Sequence, residues 1–225
     1  APSPLQLSPA GSALELFESW ARRTPDALAL VLGDDHVTYG ELDRRAQRMG
    51  RALQSQGVGP ERRVGLRFPR SLELVVAWLG VWKAGGVCVS LDPSYPPQRL
   101  AFIEQDAALH CILEQLPSEE GPLQSYPGAA LGAYLIYTSG STGQPKGALN
   151  LQQNLRWLAE EMPAALALES SSRVMQFASF NFDASVWELL MAWSCGGALV
   201  IATREQIAPG QPLTRTLQVQ RCTHV

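Results

Sequence analysis

Along this chain, apolar positions recur with a period of about 3.6 in some stretches and about 2 in others, and the order of those stretches predicts the architecture. Ser12, with Glu15 three residues on, reads as a capping box. It opens a helix whose buried face is Leu14, Phe17 and Ala21, and Thr24-Pro25 ends that helix. Ala27 to Leu32, the turn Gly33-Asp34-Asp35 and His36 to Tyr39 make a predicted hairpin. Thr38 and Glu41 repeat the capping-box spacing before a second amphipathic helix, with Leu42, Ala46, Met49 and Leu53 on its apolar side and Gly57 as its stop.

Val64, Leu66 and Phe68 alternate as a half-buried strand. Ser71 to Lys83 is apolar almost all round, which predicts a helix covered on several sides and closed by Gly85-Gly86. With the strand Val87 to Leu91 these form a βαβ unit, so the fold class is α/β, with parallel-sheet layers and flanking helices. Asp92-Pro-Ser-Tyr-Pro-Pro97 is a turn, Arg99 to Asp106 a short helix and Cys111 to Leu113 a strand. Gln115 to Gly132, rich in Pro, Gly and Ser, is predicted to be a mobile connection. Later come helix Gln152 to Glu161, strand Arg173 to Phe177, helix Ser185 to Trp193, strand Ala198 to Ile201 and helix Leu213 to Arg221. Thr223-His-Val225 reads as the start of a further strand, whose backbone groups would need partners. The chain is therefore expected to be a fragment, with residues 1–11 a linker and 12–225 part of a larger domain.

The candidate chemistry lies in Ala133-Tyr-Leu-Ile-Tyr-Thr-Ser-Gly-Ser-Thr-Gly-Gln-Pro-Lys-Gly147. A buried-type strand empties there into a loop suited to phosphate. Thr138, Ser139, Ser141 and Thr142 bring hydroxyl donors, Gly140, Gly143 and Gly147 let amide groups converge on an anion, and Lys146 adds positive charge. A Walker P-loop needs Gly immediately before Lys; Pro145 stands there instead. Lys146 has two open readings, contact with phosphate or an ion pair that steadies the loop.

This stretch resembles the phosphate-binding motif of the adenylate-forming enzymes, and its first residues look like the nonribosomal peptide synthetase adenylation domains in particular. Three further stretches match in the same order. Val37-Thr-Tyr-Gly-Glu-Leu42 is similar to the first core motif, Trp82-Lys-Ala-Gly-Gly-Val-Cys-Val-Ser-Leu-Asp92 to the second, and Phe182-Asp-Ala-Ser185 with Val186-Trp-Glu188 to the fourth. The resemblance implies the N-terminal portion of an adenylation core domain over 12–225. It also implies activation of an amino acid as its adenylate with ATP, then transfer to the phosphopantetheine thiol of a carrier (thiolation) domain. No side-chain nucleophile is needed, since positioning and charge neutralisation carry such a step. The resemblance assigns phosphate contacts to Thr138 through Gly143 and the substrate ammonium to Asp183, with Ala184 and Trp187 as lining residues. The Asp-Ala-Trp set looks like family patterns for amino acids with sizeable side chains.

Other readings stand beside these. Asp183, just before an apolar run, is also placed as a helix N-cap, and Trp187 as a plain core residue. Set among Phe180, Phe182, Val186 and Trp187, Asp183 is expected to be buried and in need of a cation. An acyl- or aryl-CoA ligase of the same superfamily is the rival enzyme, and a non-catalytic interaction module the rival for the isolated fragment. Cys88 and Ser90 stand where the second motif more often has Tyr and Pro, and Leu151-Gln152 replaces a frequent Thr-His, which puts in doubt any His role near the nucleotide. The Mg²⁺ ligand and the later motifs are expected beyond Val225, and a condensation domain is an expected neighbour.

Composition narrows the classes further. The 225 residues are 46% hydrophobic and carry a net charge of −3 with signs mixed, leaving no basic stripe for nucleic acid or a membrane surface. The longest apolar stretch, Leu72 to Trp82, is interrupted by Glu73 and too short to span a bilayer, and no secretory signal pattern opens the chain. A cytoplasmic location is expected. Cys88, Cys111, Cys195 and Cys222 form no C-x-x-C pair and read as buried thiols, so no metal site is expected here.

Overall fold

The structure is a computed structural model that describes residues 11–119, 121–126, 128–139 and 145–225, with Ser139 described by its backbone alone. Helix α1 (Ala13–Arg23) is opened by a reciprocal Ser12/Glu15 capping box, as expected. Strands β1 (Leu28–Leu32) and β2 (Asp35–Thr38) pair antiparallel. Helix α2 (Tyr39–Ser55) is capped by Thr38, which accepts from the Glu41 amide. The carboxylate of Glu41 instead binds Arg44 and Arg45, so only half of the second expected box forms. At its end Gly57 takes φ +84° and the Val58 amide reaches back to the Leu53 carbonyl, the bond pattern that needs a glycine-type conformation.

Strand β3 (Arg63–Leu66), helix α3 (Leu72–Lys83) and strand β4 (Val87–Ser90) make the expected βαβ unit. Helix α4 (Pro97–Asp106) and strand β5 (Cys111–Leu113) follow. The expected mobile connection lies along α2 at Gln124, whose amide and carbonyl are both bound by the Gln54 side chain at 3.0 and 2.8 Å. Strand β6 (Gly132–Ser139) then turns back into β7 (Pro145–Leu151). No strand is expected there from the residues, because Pro145, Lys146, Gly147 and Asn150 break the usual strand signal. Helix α5 (Gln152–Leu166), strand β8 (Arg173–Gln176), helix α6 (Asp183–Cys195), strand β9 (Ala198–Ile201) and helix α7 (Gln211–Val219) complete the order. His224 bridges in parallel to Val174 of β8, as the strand-like reading of the last residues expects.

One sheet runs β2-β1-β9-β8 and the other β5-β3-β4-β6-β7. Pairing is parallel within both sheets except for the β1–β2 and β6–β7 hairpins. Leu30, Leu199 and Val174 of the first sheet and Val64, Cys88 and Tyr134 of the second share one core with α1, α2, α3, α5 and α6. The opposite faces pack elsewhere: Val89, Leu135 and Tyr137 against α4, and Val31, Met175 and Val200 against Leu217 of α7. Five helices therefore fill the space between two sheets. Helix α3 lies within this layer, and every residue of it but Glu73 is buried, as its all-round apolar sequence requires. Trp78 and Trp82, one turn apart, pack on Phe180 and Trp193 at ring separations of 5.6 and 6.1 Å.

Lys83 ends α3 with a side chain only 2% exposed, in ion pairs with Glu18 of α1 and, at 2.9 Å, with Asp43 of α2. One buried cation thus joins three helices. Lys83→Met removes the charge and leaves two partly buried carboxylates facing each other, so it should lower the unfolding free energy by about 3 kcal/mol in urea titrations.

Candidate active site

Two segments that the sequence marks out leave the carboxyl ends of strands, the place where α/β sheets usually take ligands. The first is the β6–β7 hairpin. Its ladder runs from Gly132 opposite Leu151 to Thr138 opposite Lys146 and Ser139 opposite Pro145. Gly140, Ser141, Thr142, Gly143 and Gln144 connect these paired ends and lie outside the described residues. Thr138 and Lys146 are exposed cross-strand partners, so their side chains emerge on one face of the hairpin end. Gly147 does other work than expected: it is a β7 residue without positive φ, and a Cβ there would sit 2.9 Å from Leu135 and 3.2 Å from the Tyr137 ring. Its bareness serves packing against β6. The Tyr137 hydroxyl donates to Asp106 Oδ2 at 2.6 Å, which ties the strand to α4.

The second segment is 177–183, between β8 and α6. The chain's own polar groups hold it closely. Glu188 accepts from the Ala178 amide at 3.0 Å, Arg70 donates to the Phe177 and Ala178 carbonyls at 3.1 and 3.0 Å, and Ser179 Oγ donates to Asp92 Oδ2 at 3.1 Å. Asp92 follows β4, so this last bond joins the strand ends of the two sheets. Helix α6 starts at Asp183 with Phe182 in the cap position, and Ser185 Oγ donates back to the Phe182 carbonyl at 2.7 Å. The N-cap reading of Asp183 therefore fails by one residue. Its carboxylate stands in the first helical turn, where the helix dipole favours an anion.

Asp183 is exposed rather than buried, which corrects the sequence expectation. Phe182 and Trp187, counted as an apolar surround, are themselves 57% and 47% exposed. Asp183 and Trp187 do share one wall of a cavity of about 790 Å³, as their four-residue spacing on a helix predicts. Ala184 is exposed beside them and is not among the residues lining it. The opposite walls come from Tyr134 and Asn150, which pair across the β6–β7 ladder, and from Asn154 and Trp157 of α5. Sequence reasoning missed all four as site residues. Inward alternation through Tyr134, Ile136 and Thr138 was the available signal for the first.

Burial pushes the Tyr134 hydroxyl up to about 12, the Asp183 charge pushes in the same direction, and a hydrogen bond from Asn150 opposes both. Tyr134 thus registers the carboxylate across the cavity. Along the strand, Thr138 lies about 13 Å beyond Tyr134, at the same face. One strand carries both the cavity wall and the hydroxyl-bearing hairpin end. Gln152, where the family often has His, sits at the other end of the hairpin, buried, with its Oε1 accepting from the Leu14 amide at 3.3 Å. Its work is to join α5 to α1. Among the described residues no group of three or more His, Cys, Asp or Glu side chains is arranged to hold a metal. Nor, among them, is any helix long and apolar enough to cross a membrane.

The sequence matches the family described as AMP-binding enzyme over residues 17–126 and 114–225. The chain belongs to that family. Chondramide synthase cmdD of Chondromyces crocatus is 42% identical over 236 residues, covering 93% of this chain and 6% of the synthase. Bacitracin synthase 3 of Bacillus licheniformis is 36% identical over 93% of this chain and 4% of its own length. The AMPPNP-bound form of the nonribosomal peptide synthetase FmoA3 superposes with a TM-score of 0.86 at 27% identity, over 96% of this chain and 25% of that one. The chain thus spans a small part of each relative.

Replacing Asp183 by Asn should bring the Tyr134 titration down from about 12 while leaving it above the ordinary value of 10.0, because burial is the larger cause. Tyrosinate absorbance measured against pH reads the shift.

Proposed function

We propose that this chain supplies the phosphate grip and the substrate anchor of an amino-acid adenylation domain in nonribosomal peptide synthesis. The observation that carries this reading is the cavity shared by Asp183, Trp187 and Tyr134, because the strand bearing Tyr134 continues into the Ser/Gly hairpin loop. An amino acid in the cavity would set its ammonium against Asp183 and direct its carboxylate along β6 towards the phosphates. Thr138, Ser139, Gly140, Ser141, Thr142 and Gly143 would hold the β- and γ-phosphates of ATP through hydroxyls and amides, with Lys146 beside them on the exposed face. Trp187 would flank the side chain, with Ala184 next to Asp183 but outside the cavity lining.

A substrate carboxylate oxygen attacks the α-phosphorus, the bond to the bridging oxygen breaks, and pyrophosphate leaves with that electron pair. Both reactants are anionic. Neutralising the phosphates and fixing the line of attack are therefore the tasks left to the protein. The aminoacyl group then passes to the phosphopantetheine thiol of a carrier domain, and AMP departs. Mg²⁺ would come with the nucleotide and be held by residues other than those described. A condensation domain as neighbour and a cytoplasmic setting complete the proposal. The peptide synthetases among the relatives support it, as does the FmoA3 form with alpha-methyl-L-serine-AMP bound. An acyl- or aryl-CoA ligase would have no use for an anion at Asp183.

Amino-acid-dependent exchange of pyrophosphate into ATP, measured on the full-length protein, is the direct test. Exchange confined to fatty or aryl acids without an amine would reject the reading. Asp183→Ala should weaken amino-acid activation by about 2 kcal/mol, near the low end for truncating one member of a desolvated ion pair, because the Asp183 carboxylate is exposed to water. Unchanged KM and selectivity would contradict the anchor. Replacing Gly140 and Gly143 together by Val should abolish nucleotide binding in calorimetric titrations while the circular dichroism spectrum stays that of the native fold.

A further inference from the structure

Helix α6 carries a second carboxylate with no place in the proposed chemistry. Glu188 is 9% exposed and points away from the cavity to the end of β8, where its two oxygens lie 3.0 and 3.3 Å from the Ala178 amide. Gln176 Nε2 donates to it at 3.2 Å. The same junction receives Arg70, whose guanidinium donates to the carbonyls of Gln176, Phe177 and Ala178 on one side and, at 2.9 Å, of Ala202 on the other. Residues 177–182 have left the sheet ladder, so their backbone groups need such partners. An anion takes the amide and a cation the carbonyls, and the two charges attract each other. Asp183 follows this segment directly.

We propose that Glu188 is a positioning residue for substrate binding: by accepting the Ala178 amide at the strand-to-helix junction, it fixes where α6 begins and so where Asp183 enters the cavity. This rests on the amino-acid adenylation reading given above. A purely stabilising purpose fits poorly. Burial pushes the Glu188 carboxyl above the ordinary carboxylate range, so the ionised form makes the fold less stable as pH rises through that range. A neutral acceptor would serve stability better, and Gln176 Oε1, buried without a hydrogen-bond partner, stands ready for an amide at this position.

In the full-length protein, Glu188→Leu is expected to raise the KM for the amino acid about tenfold in pyrophosphate exchange, with the KM for ATP within about twofold of wild type. Glu188→Gln, which keeps an acceptor for the Ala178 amide, should hold the amino-acid KM within about threefold and fold at least as stably. An unchanged amino-acid KM in Glu188→Leu, an equal rise for both substrates, or a glutamine variant as impaired as the leucine one would each overturn the proposal. If the wild-type protein shows no amino-acid-dependent exchange, the functional reading fails, and hydrogen exchange then decides the positioning claim alone. Faster exchange in Glu188→Leu confined to 177–187 upholds it, and an unchanged pattern overturns it. Should Glu188→Leu fail to fold, the wild-type Ala178 amide serves instead: exchange as slow as the interior of α6 supports the proposal, and exchange at the speed of exposed loops refutes it.

Discussion

Strand β6 is buried on both faces from Ala133 to Tyr137, and the position of the candidate site residues it carries depends on that. Tyr134 and Ile136 pack inward on the helix layer, and Leu135 and Tyr137 pack outward towards α4. A slip of one residue would exchange the two sets and put a tyrosine hydroxyl into each core in the wrong place. The Trp82 indole fixes the register from one side, donating to the Ala133 carbonyl at 2.8 Å, and the Tyr137 hydroxyl fixes it from the other through Asp106. The hairpin end is therefore delivered at a set distance from the cavity.

Charge is used differently at the two ends of the strands. Near the amino end of β4, Lys83 with Glu18 and Asp43 replaces apolar packing where α1, α2 and α3 converge. At the carboxyl ends, Arg70, Asp92 and Glu188 bind backbone and hydroxyl groups of 176–179 and 202, groups that have run out of sheet partners. Both arrangements bury charge, which costs stability unless the partners are complete. The first joins helices to one another. The second joins the two sheets at the end where the cavity opens, so its rigidity passes directly to Asp183.

Much of this was legible in the residues. Capping at Ser12 and Thr38, the glycine stops at Gly57 and Gly85, and the all-apolar α3 each follow from local rules that tertiary structure had no reason to override. Strand β7 was hidden because its sequence suits an exposed hairpin arm, whose residues from Lys146 to Leu149 face solvent and need no apolar alternation. The exposure of Asp183 was hidden for a related reason. Apolar neighbours in sequence suggest a buried surround, yet Phe182 and Trp187 are largely open to solvent, and the walls facing Asp183 come from residues distant in sequence, Tyr134, Asn150, Asn154 and Trp157. Glu188 escaped notice as a lone acid in an apolar helix, a pattern that says a partner must exist without naming it.

The four matching motifs divide the work unequally. The first serves folding: Thr38 caps α2, and Tyr39, fully buried, donates to the Gly197 carbonyl at 2.8 Å, binding α2 to the α6–β9 turn. The second ends α3 at Gly85 and continues through β4 to Asp92, which reaches Ser179 in the other sheet. The third and fourth carry the hairpin and the start of α6. Asp92 and Glu188 thus lie at the far ends of the second and fourth motifs and meet on the same short segment, 178–179. Motifs separate in sequence converge there, so the segment between β8 and Asp183 is held from both sheets at once. Placement of Asp183 is then a property of both sheets together, since Glu188 holds the preceding segment through the Ala178 amide and Asp92 holds it through the Ser179 hydroxyl.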